Sequence, residues 1–111
     1  MIPRHDMPAA EADFTEALRR HPQDIAALMN RGVARGNQDN LAGAIADWTE
    51  VIRLNPRVIQ AHVLRATAKR QAGDLDGALA DLESCLRLLP PHARREREQL
   101  EGLITQFRGE P

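Results

Sequence analysis

The residues of this sequence that could carry out chemistry are its histidines, its aspartates and one cysteine, which elsewhere serve as metal ligands, general acids and bases, and nucleophiles. Four histidines are scattered without a metal-ligand spacing, and we interpret them as surface, helix-end or turn residues: His5, His21, His62 and His92. Three aspartates recur at a constant spacing: Asp13, Asp47 and Asp81. A periodic carboxylate is more typical of a repeated solvent-facing position than of an acid–base pair, so we predict no catalytic residue and no metal site.

The single cysteine, Cys85, excludes an internal disulfide and any metal site built from several cysteines. It follows Val51 at the same spacing that separates the aspartates, and Val51 follows Ala17 at that spacing too. A thiol in the place of small apolar residues is typical of a buried, inert cysteine rather than of a nucleophile.

Two further features allow both a binding and a structural interpretation. Trp48 shares its periodic position with Phe14 and Leu82, which favours packing in a core over stacking on a ligand. The run at 94–98, Arg-Arg-Glu-Arg-Glu, could bind phosphates, but its interleaved glutamates favour a solvated helix.

Composition narrows the function classes. The chain has 111 residues, of which 28% are charged, an ordinary fraction for a soluble globular protein. Its formal net charge of -1 argues against nucleic acid or an anionic membrane as the main partner. It has no apolar run long enough to cross a bilayer, and its start lacks the apolar centre of a secretory signal, so we expect a soluble, cytoplasmic protein. A phosphate-binding glycine loop and a nucleophile elbow are both missing, and we expect neither an enzyme nor a cofactor.

A 34-residue period organises the chain. Pro22, Pro56 and Pro90 each end an apolar, helix-like run. Residues 25–58 and 59–92 are identical at twelve aligned positions, and the stretch before Pro22 matches the second half of the unit. The chain therefore opens halfway through a repeat.

Each full unit predicts two helices. In the first unit the apolar spacing of 25–33 and of 41–52 is helical, and the break at 36–40 supplies Gly36 as a terminator and Asn40 as a cap. In the second unit Gly73 and Asp74 take these roles. A last helix carries an apolar face and two surface ion pairs at i, i+4, Arg94/Glu98 and Arg97/Glu101. About six helices and an all-α fold follow.

The pattern resembles the tetratricopeptide repeat, which has small residues at its eighth and twentieth positions, a large one at its twenty-fourth and proline at its thirty-second. The matching residues are Gly32, Ala44, Trp48 and Pro56, then Ala66, Ala78, Leu82 and Pro90, and in the half unit Ala10, Phe14, Ala17 and Pro22. The resemblance implies a right-handed α-solenoid of antiparallel helix pairs. We predict one domain over 8–107, with a half repeat at 8–24, full repeats at 25–58 and 59–92 and a capping helix at 93–107. Short termini, 1–7 and 108–111, flank it.

The resemblance also implies a concave groove, lined by the first helix of each repeat, that binds a peptide or partner protein. Its predicted lining is Met29, Asn30, Val33, Asn37, Gln60, Val63, Thr67, Arg70, Arg94 and Arg97. Met29 and Val33 fit a core as well as a groove. Some members of the family clamp a peptide's C-terminal carboxylate, but Gln60 and Leu64 stand where basic residues would be needed, so we reject that clamp. The three arginines suit an acidic peptide instead.

Self-assembly is the alternative function. The first helix lacks the partner helix that would precede it in a complete repeat, which predicts exposed apolar surface around Phe14 and Leu18. A two-fold homodimer would cover this surface, and so would a folding back of residues 1–8.

Overall fold

The computed structural model describes residues 6–109, and this part of the chain consists of six α-helices without a strand. The helices are α1 (Met7–Arg20), α2 (Ile25–Asn37), α3 (Leu41–Leu54), α4 (Ile59–Gln71), α5 (Leu75–Leu88) and α6 (Arg94–Phe107). None of these helices is long and apolar enough to cross a membrane. His5, most of the predicted N-terminal segment and the end of the C-terminal tail lie outside the described residues.

Helices α3 and α5 begin at the predicted caps. The Asn40 side chain accepts a hydrogen bond from the Gly43 amide at 3.0 Å, and the Asp74 side chain accepts one from the Gly77 amide at 2.9 Å. Each bond satisfies one of the amides that a helix leaves without an intrahelical acceptor in its first turn. Both predicted caps are therefore confirmed.

The turn between α2 and α3 differs from its prediction. Gly36 lies inside α2, and the left-handed residue of this turn is Asp39, with a φ of 63°. Asp39 occupies the position in the first repeat that Gly73, with a φ of 92°, occupies in the second. The prediction of Gly36 as the terminator is wrong because aspartate, with a short polar side chain, tolerates the left-handed region, so that Asp39 provides the left-handed residue of the turn. Gly73 as a terminator is confirmed.

The helices pack in chain order, each against the one before and the one after it. Pairs α2/α3 and α4/α5 form the two full repeats, and α1 and α6 close the ends. Helices α2, α4 and α6 form one layer of the stack, while α1, α3 and α5 form the other. The predicted right-handed all-α solenoid is confirmed.

Small residues let the two helices of each repeat approach closely. Trp48 lies against Gly32 and is 4% exposed, while Ala44 is fully buried. A Cβ atom added at Gly32 would lie 2.4 Å from the indole Nε1 of Trp48, so glycine is needed there. The indole N–H donates to the Met29 carbonyl at 3.3 Å. Trp48 is therefore a core residue, as its periodic position predicted.

The capping helix buries its apolar face against the second repeat. Leu100, Ile104 and Phe107 join a buried cluster that includes Leu82 and Cys85. The remaining fully buried members of this cluster are Ala66 and Ala78. Helix α6 thus shields the end of the core from solvent.

Two of the periodic aspartates are buried, contrary to the prediction that all three face solvent. Asp47 is 3% exposed, and the Arg31 guanidinium donates two hydrogen bonds to it, at 2.9 and 2.7 Å. Asp81 is 4% exposed and receives two from Arg65, at 2.9 and 2.6 Å. The paired arginine offsets the cost of burying each carboxylate. Only Asp13 is exposed as predicted.

His62, for which the prediction allowed a surface, helix-end or turn position, lies in the first turn of α4 and is 6% exposed, so the helix-end alternative fits it. Its Nε2 atom lies 2.9 Å from the Pro56 carbonyl oxygen, so the ring is held inside the α3–α4 turn by a hydrogen bond. His21 and His92 are exposed, in agreement with the prediction.

Candidate peptide-binding groove

The predicted groove residues of α2 lie on a different side of the helix from its fully buried residues, although Met29 also packs partly against two core clusters. Val33, Asn30 and Asn37 are exposed, and Met29 is half-buried. The buried residues of α2 occupy the other side: Ala27, Leu28, Gly32 and Ala34. Val33 is 39% exposed, and among residues 6–109 only one other large hydrophobic residue, Leu75, is comparably open to solvent.

Helix α4 continues this surface. Gln60, Thr67 and Arg70 are exposed, and Val63 is half-buried. The Thr67 hydroxyl donates to the Val63 carbonyl at 3.1 Å, a bond within the helix that leaves the methyl group and one face of the oxygen available. The two helices meet at a cluster in which Met29 and Leu64 pack against Trp48. Side chains of both helices thus contact one buried cluster.

Arginines concentrate at the α6 end of the surface. The Arg70 guanidinium lies 4.6 Å from the centroid of the Phe107 ring, a cation–π contact that joins α4 to α6. Arg94 is exposed and Arg97 is half-buried. Within residues 6–109 none of these three guanidinium groups is in an ion pair, so all three can pair with a carboxylate of a ligand.

The two ion pairs predicted on α6 do not form. Neither Arg94/Glu98 nor Arg97/Glu101 comes within ion-pair distance in the described part of the chain, since exposed side chains of this kind gain little from pairing. Glu101 is exposed and stands one full period after Thr67, in the register of the groove. It lowers the net positive charge at this end, and it was not among the predicted groove residues.

We give the name N-terminal face to the exposed side of α1 around Asp13 and Phe14. Phe14 is half-buried, whereas Leu18 is 7% exposed and packs in the core with Leu28 and Val51. Leu18 therefore contributes no surface to an interface in this conformation. Phe14 alone remains of the two residues that the sequence placed at a homodimer contact.

Cys85 is fully buried, as its periodic position predicted. Burial raises the pKa of its thiol to about 11, and the nearby Asp81 carboxylate adds to the shift. A thiol with so high a pKa is almost entirely protonated at neutral pH, and only the thiolate is a strong nucleophile. The side chain thus has the character of a small apolar core residue.

Two arginines that were not predicted as functional residues connect neighbouring repeat units. Arg31 contacts both Asp47 and, through an Nη1 hydrogen bond of 3.3 Å, the Thr15 hydroxyl of the preceding unit. The second unit repeats this arrangement in Arg65, which bonds Thr49 at 3.1 Å. The signal was present, because each arginine and its aspartate recur with the same period and at the same separation from one another.

The tetratricopeptide repeat model matches residues 4–48 and 31–93. No curated protein matches the sequence. Among solved structures, the TPR2B domain of yeast Sti1 in its complex with pHsp70 is 27% identical to this chain, with a TM-score of 0.78. The match covers 92% of this chain and 85% of the Sti1 chain.

Two more distant structures share the fold. The Yersinia enterocolitica type III secretion chaperone SycD, in complex with a peptide of the translocator YopD, is 16% identical over 93% of this chain and 77% of its own, with a TM-score of 0.79. The first TPR domain of human RPAP3 is 20% identical over 96% and 86%, with a TM-score of 0.73. With the family model matching most of its length, this chain belongs to the tetratricopeptide repeat family.

Proposed function

We propose that this protein is an interaction module that binds an extended or helical segment of a partner protein in the groove formed by α2, α4 and α6. The observation that carries the proposal is the 39% exposure of Val33 on the predicted groove face, to which we also assign three arginines that form no ion pair within residues 6–109. An apolar patch with a polar rim is typical of a surface that another protein covers, and the half-buried Met29 and Val63 would extend Val33 into such a patch. The likeness to the yeast Sti1 domain, a structure of a complex with pHsp70, supports it.

The groove favours a bipartite ligand. An apolar side chain of the partner would contact Val33, Met29 and Val63 near the α2–α4 junction, where its burial contributes most of the binding free energy. Acidic side chains would pair with Arg70, Arg94 and Arg97, which fixes the direction of the segment. Because no set of basic residues stands where a terminal carboxylate would bind, we expect an internal segment to bind as well as a C-terminal one.

Selection of peptides against the immobilised chain tests this proposal. We expect the selected sequences to combine an apolar residue with nearby aspartates or glutamates. Binding of a selected peptide should be lost in the double variant Val33→Asp, Arg70→Gln. The matched control is Leu75→Asp, Arg20→Gln, because Leu75 is 38% exposed in the opposite layer and Arg20 is an exposed arginine of α1. Equal loss in both variants, or in neither, would place the site elsewhere.

Amidation of the peptide C-terminus separates this mode from a carboxylate clamp. We expect an amidated peptide and its free-acid form to bind with the same affinity. A large loss on amidation would contradict the proposed mode while leaving the groove as the site.

Self-assembly is the second candidate, and the partly exposed Phe14 ring favours it. A homodimer would cover Phe14 in both copies. Light scattering over a dilution series tests it, since the parent should dissociate on dilution and Phe14→Glu should be a monomer throughout.

We place the protein in the cytoplasm, a reducing compartment with which its one buried thiol is compatible.

A further inference from the structure

The two full repeats share a contact that joins their two helices. In each repeat an arginine of the first helix donates two hydrogen bonds to the buried aspartate of the second: Arg31 to Asp47, and Arg65 to Asp81. The distances are nearly the same, 2.9 and 2.7 Å in the first repeat and 2.9 and 2.6 Å in the second. The contact is therefore a property of the repeat and not of one site.

The residue after the arginine completes this contact. It is Gly32 in one repeat and Ala66 in the other, and both are buried. Gly32 lies directly against Trp48, the residue after Asp47, while Ala66 shares a buried cluster with Leu82, the residue after Asp81. An arginine and a small residue on one helix thus recognise an aspartate and a large apolar residue on the other.

Helix α1 carries the aspartate and the large apolar residue of this contact, but no helix within residues 6–109 supplies it with the arginine and the small residue. Asp13 and Phe14 stand one full period before Asp47 and Trp48. Asp13 is exposed and has no ion-pair or hydrogen-bond partner between residues 6 and 109, and Phe14 is only half-buried. Inside the repeats the equivalent residues are at most 4% exposed.

We infer that the N-terminal face is a docking site for a helix of another protein that carries an arginine followed by glycine or alanine. The arginine pairs with Asp13, and the small residue lets the helix approach the Phe14 ring. Charge complementarity and the two internal copies of the contact define this occupant. The site lies on the other layer of the solenoid from the groove, and the inference does not depend on the proposed function.

A second copy of this chain that docks through its α6 is a poor occupant, because that helix does not carry the required pair. The capping helix α6 has Gln99 and Leu100 where the other repeats have arginine and a small residue. Leu100 is also already buried in the core of its own chain. The two arginines that do precede a small residue at this position, Arg31 and Arg65, are held by their own aspartates.

A peptide with the sequence of residues 58–72 is a direct probe, since it contains Arg65-Ala66 in the context that makes the contact within the chain. Fluorescence anisotropy of the labelled peptide with the full chain should give saturable binding. Arg65→Gln or Ala66→Leu in the peptide, and Asp13→Asn in the protein, should each weaken binding by at least about tenfold, the effect of losing a charged hydrogen bond or a close contact. Glu83→Gln, the loss of an exposed carboxylate on α5, should leave binding unchanged.

Charge exchange gives the sharpest outcome. Binding should return when the Asp13→Arg protein meets the Arg65→Asp peptide. The inference is overturned if the parent chain does not bind the peptide, if Asp13→Asn binds as tightly as the parent, or if Val33→Asp abolishes binding, which would place the peptide in the groove. Binding that appears only after removal of residues 1–5 would overturn it too, because the chain would then cover this face itself. A dimer that Phe14→Glu dissociates would replace the inferred partner with a second copy.

Discussion

At the scale of single residues, the buried carboxylate of Asp81 is the clearest determinant of stability. Arg65 donates two hydrogen bonds to it, and the Lys69 ammonium lies 3.4 Å away. Asp13 occupies the same periodic position but is exposed and unpaired within residues 6–109. It therefore serves as the matched control for Asp81.

We expect Asp81→Ala to lower the free energy of unfolding by about 2–4 kcal/mol, because it leaves the partly buried Arg65 guanidinium without a counter-charge. Asp13→Ala should change it by less than about 0.5 kcal/mol. Urea denaturation measures both, and the shift should be in the midpoint and not in the slope. Equal effects of the two substitutions would contradict the structural role of the Arg65–Asp81 ion pair.

Glu11 links stability to pH. Its pKa is lowered, first by the hydrogen bond from Arg35 at 3.0 Å and then by the bond from Gln38 at 2.9 Å, against an opposing effect of burial. Because the pKa is lower in the folded state, ionised Glu11 stabilises the protein at pH values above its unfolded pKa, about 4.3. This stabilisation is lost as the pH falls through the folded-state pKa. We therefore expect the Glu11→Gln variant to have a lower melting temperature than the parent at pH 7, and the difference in melting temperature to vanish in acid. A difference that grows in acid would contradict the sign.

At the scale of helices, the contact between α2 and α3 depends on the absence of a side chain at Gly32. Gly36, one turn later on the same helix, provides the control, because a Cβ atom there would make ordinary contacts of 3.8 Å with Ala44 and Trp48.

We expect Gly32→Ala to destabilise the protein by about 1–3 kcal/mol, since Trp48 must move to admit the methyl group. Gly36→Ala should stabilise it by up to about 1 kcal/mol through the higher helix propensity of alanine. Thermal unfolding followed by circular dichroism checks both. Opposite signs are expected, and a stabilising Gly32→Ala would mean that the two helices lie farther apart.

The helices were predictable from sequence because their signals are local and repeated. Asn40 and Asp74 are short polar residues before an apolar run, and Gly73 is a glycine after one, so each indicates a helix end without knowledge of the fold. The position of Asp47 was not predictable in this way, because burial depends on which side of α3 meets α2. The groove was predicted through the family resemblance, and the exposure of Val33 and Met29 depends on packing that no single helix determines.

At the scale of the whole molecule, stability is distributed along the stack, since each helix contacts mainly its neighbours in the chain. The capping helix is held at its end by Phe107, which is 4% exposed and carries the Arg70 guanidinium on its ring. Loss of this ring should weaken one end of the stack before the other.

We expect Phe107→Ala to cost about 3–5 kcal/mol locally and to raise the amide exchange rates of α5 and α6 more than those of α2 and α3. Hydrogen exchange followed by mass spectrometry measures this gradient. Met29→Ala, in the first repeat, is the control and should shift the gradient toward α2. Uniform acceleration over all helices by both variants would indicate a single cooperative unit.

The position of the only tryptophan gives the molecule a natural optical signal. Trp48 packs against α2, where its indole N–H donates to the Met29 carbonyl and its ring contacts Gly32, the residue before Val33. Its emission therefore depends on the geometry of the backbone that a groove ligand would contact. Quenching or a spectral shift on titration with an unlabelled peptide would report occupancy of the groove, whereas a ligand on α1 would leave the emission nearly constant.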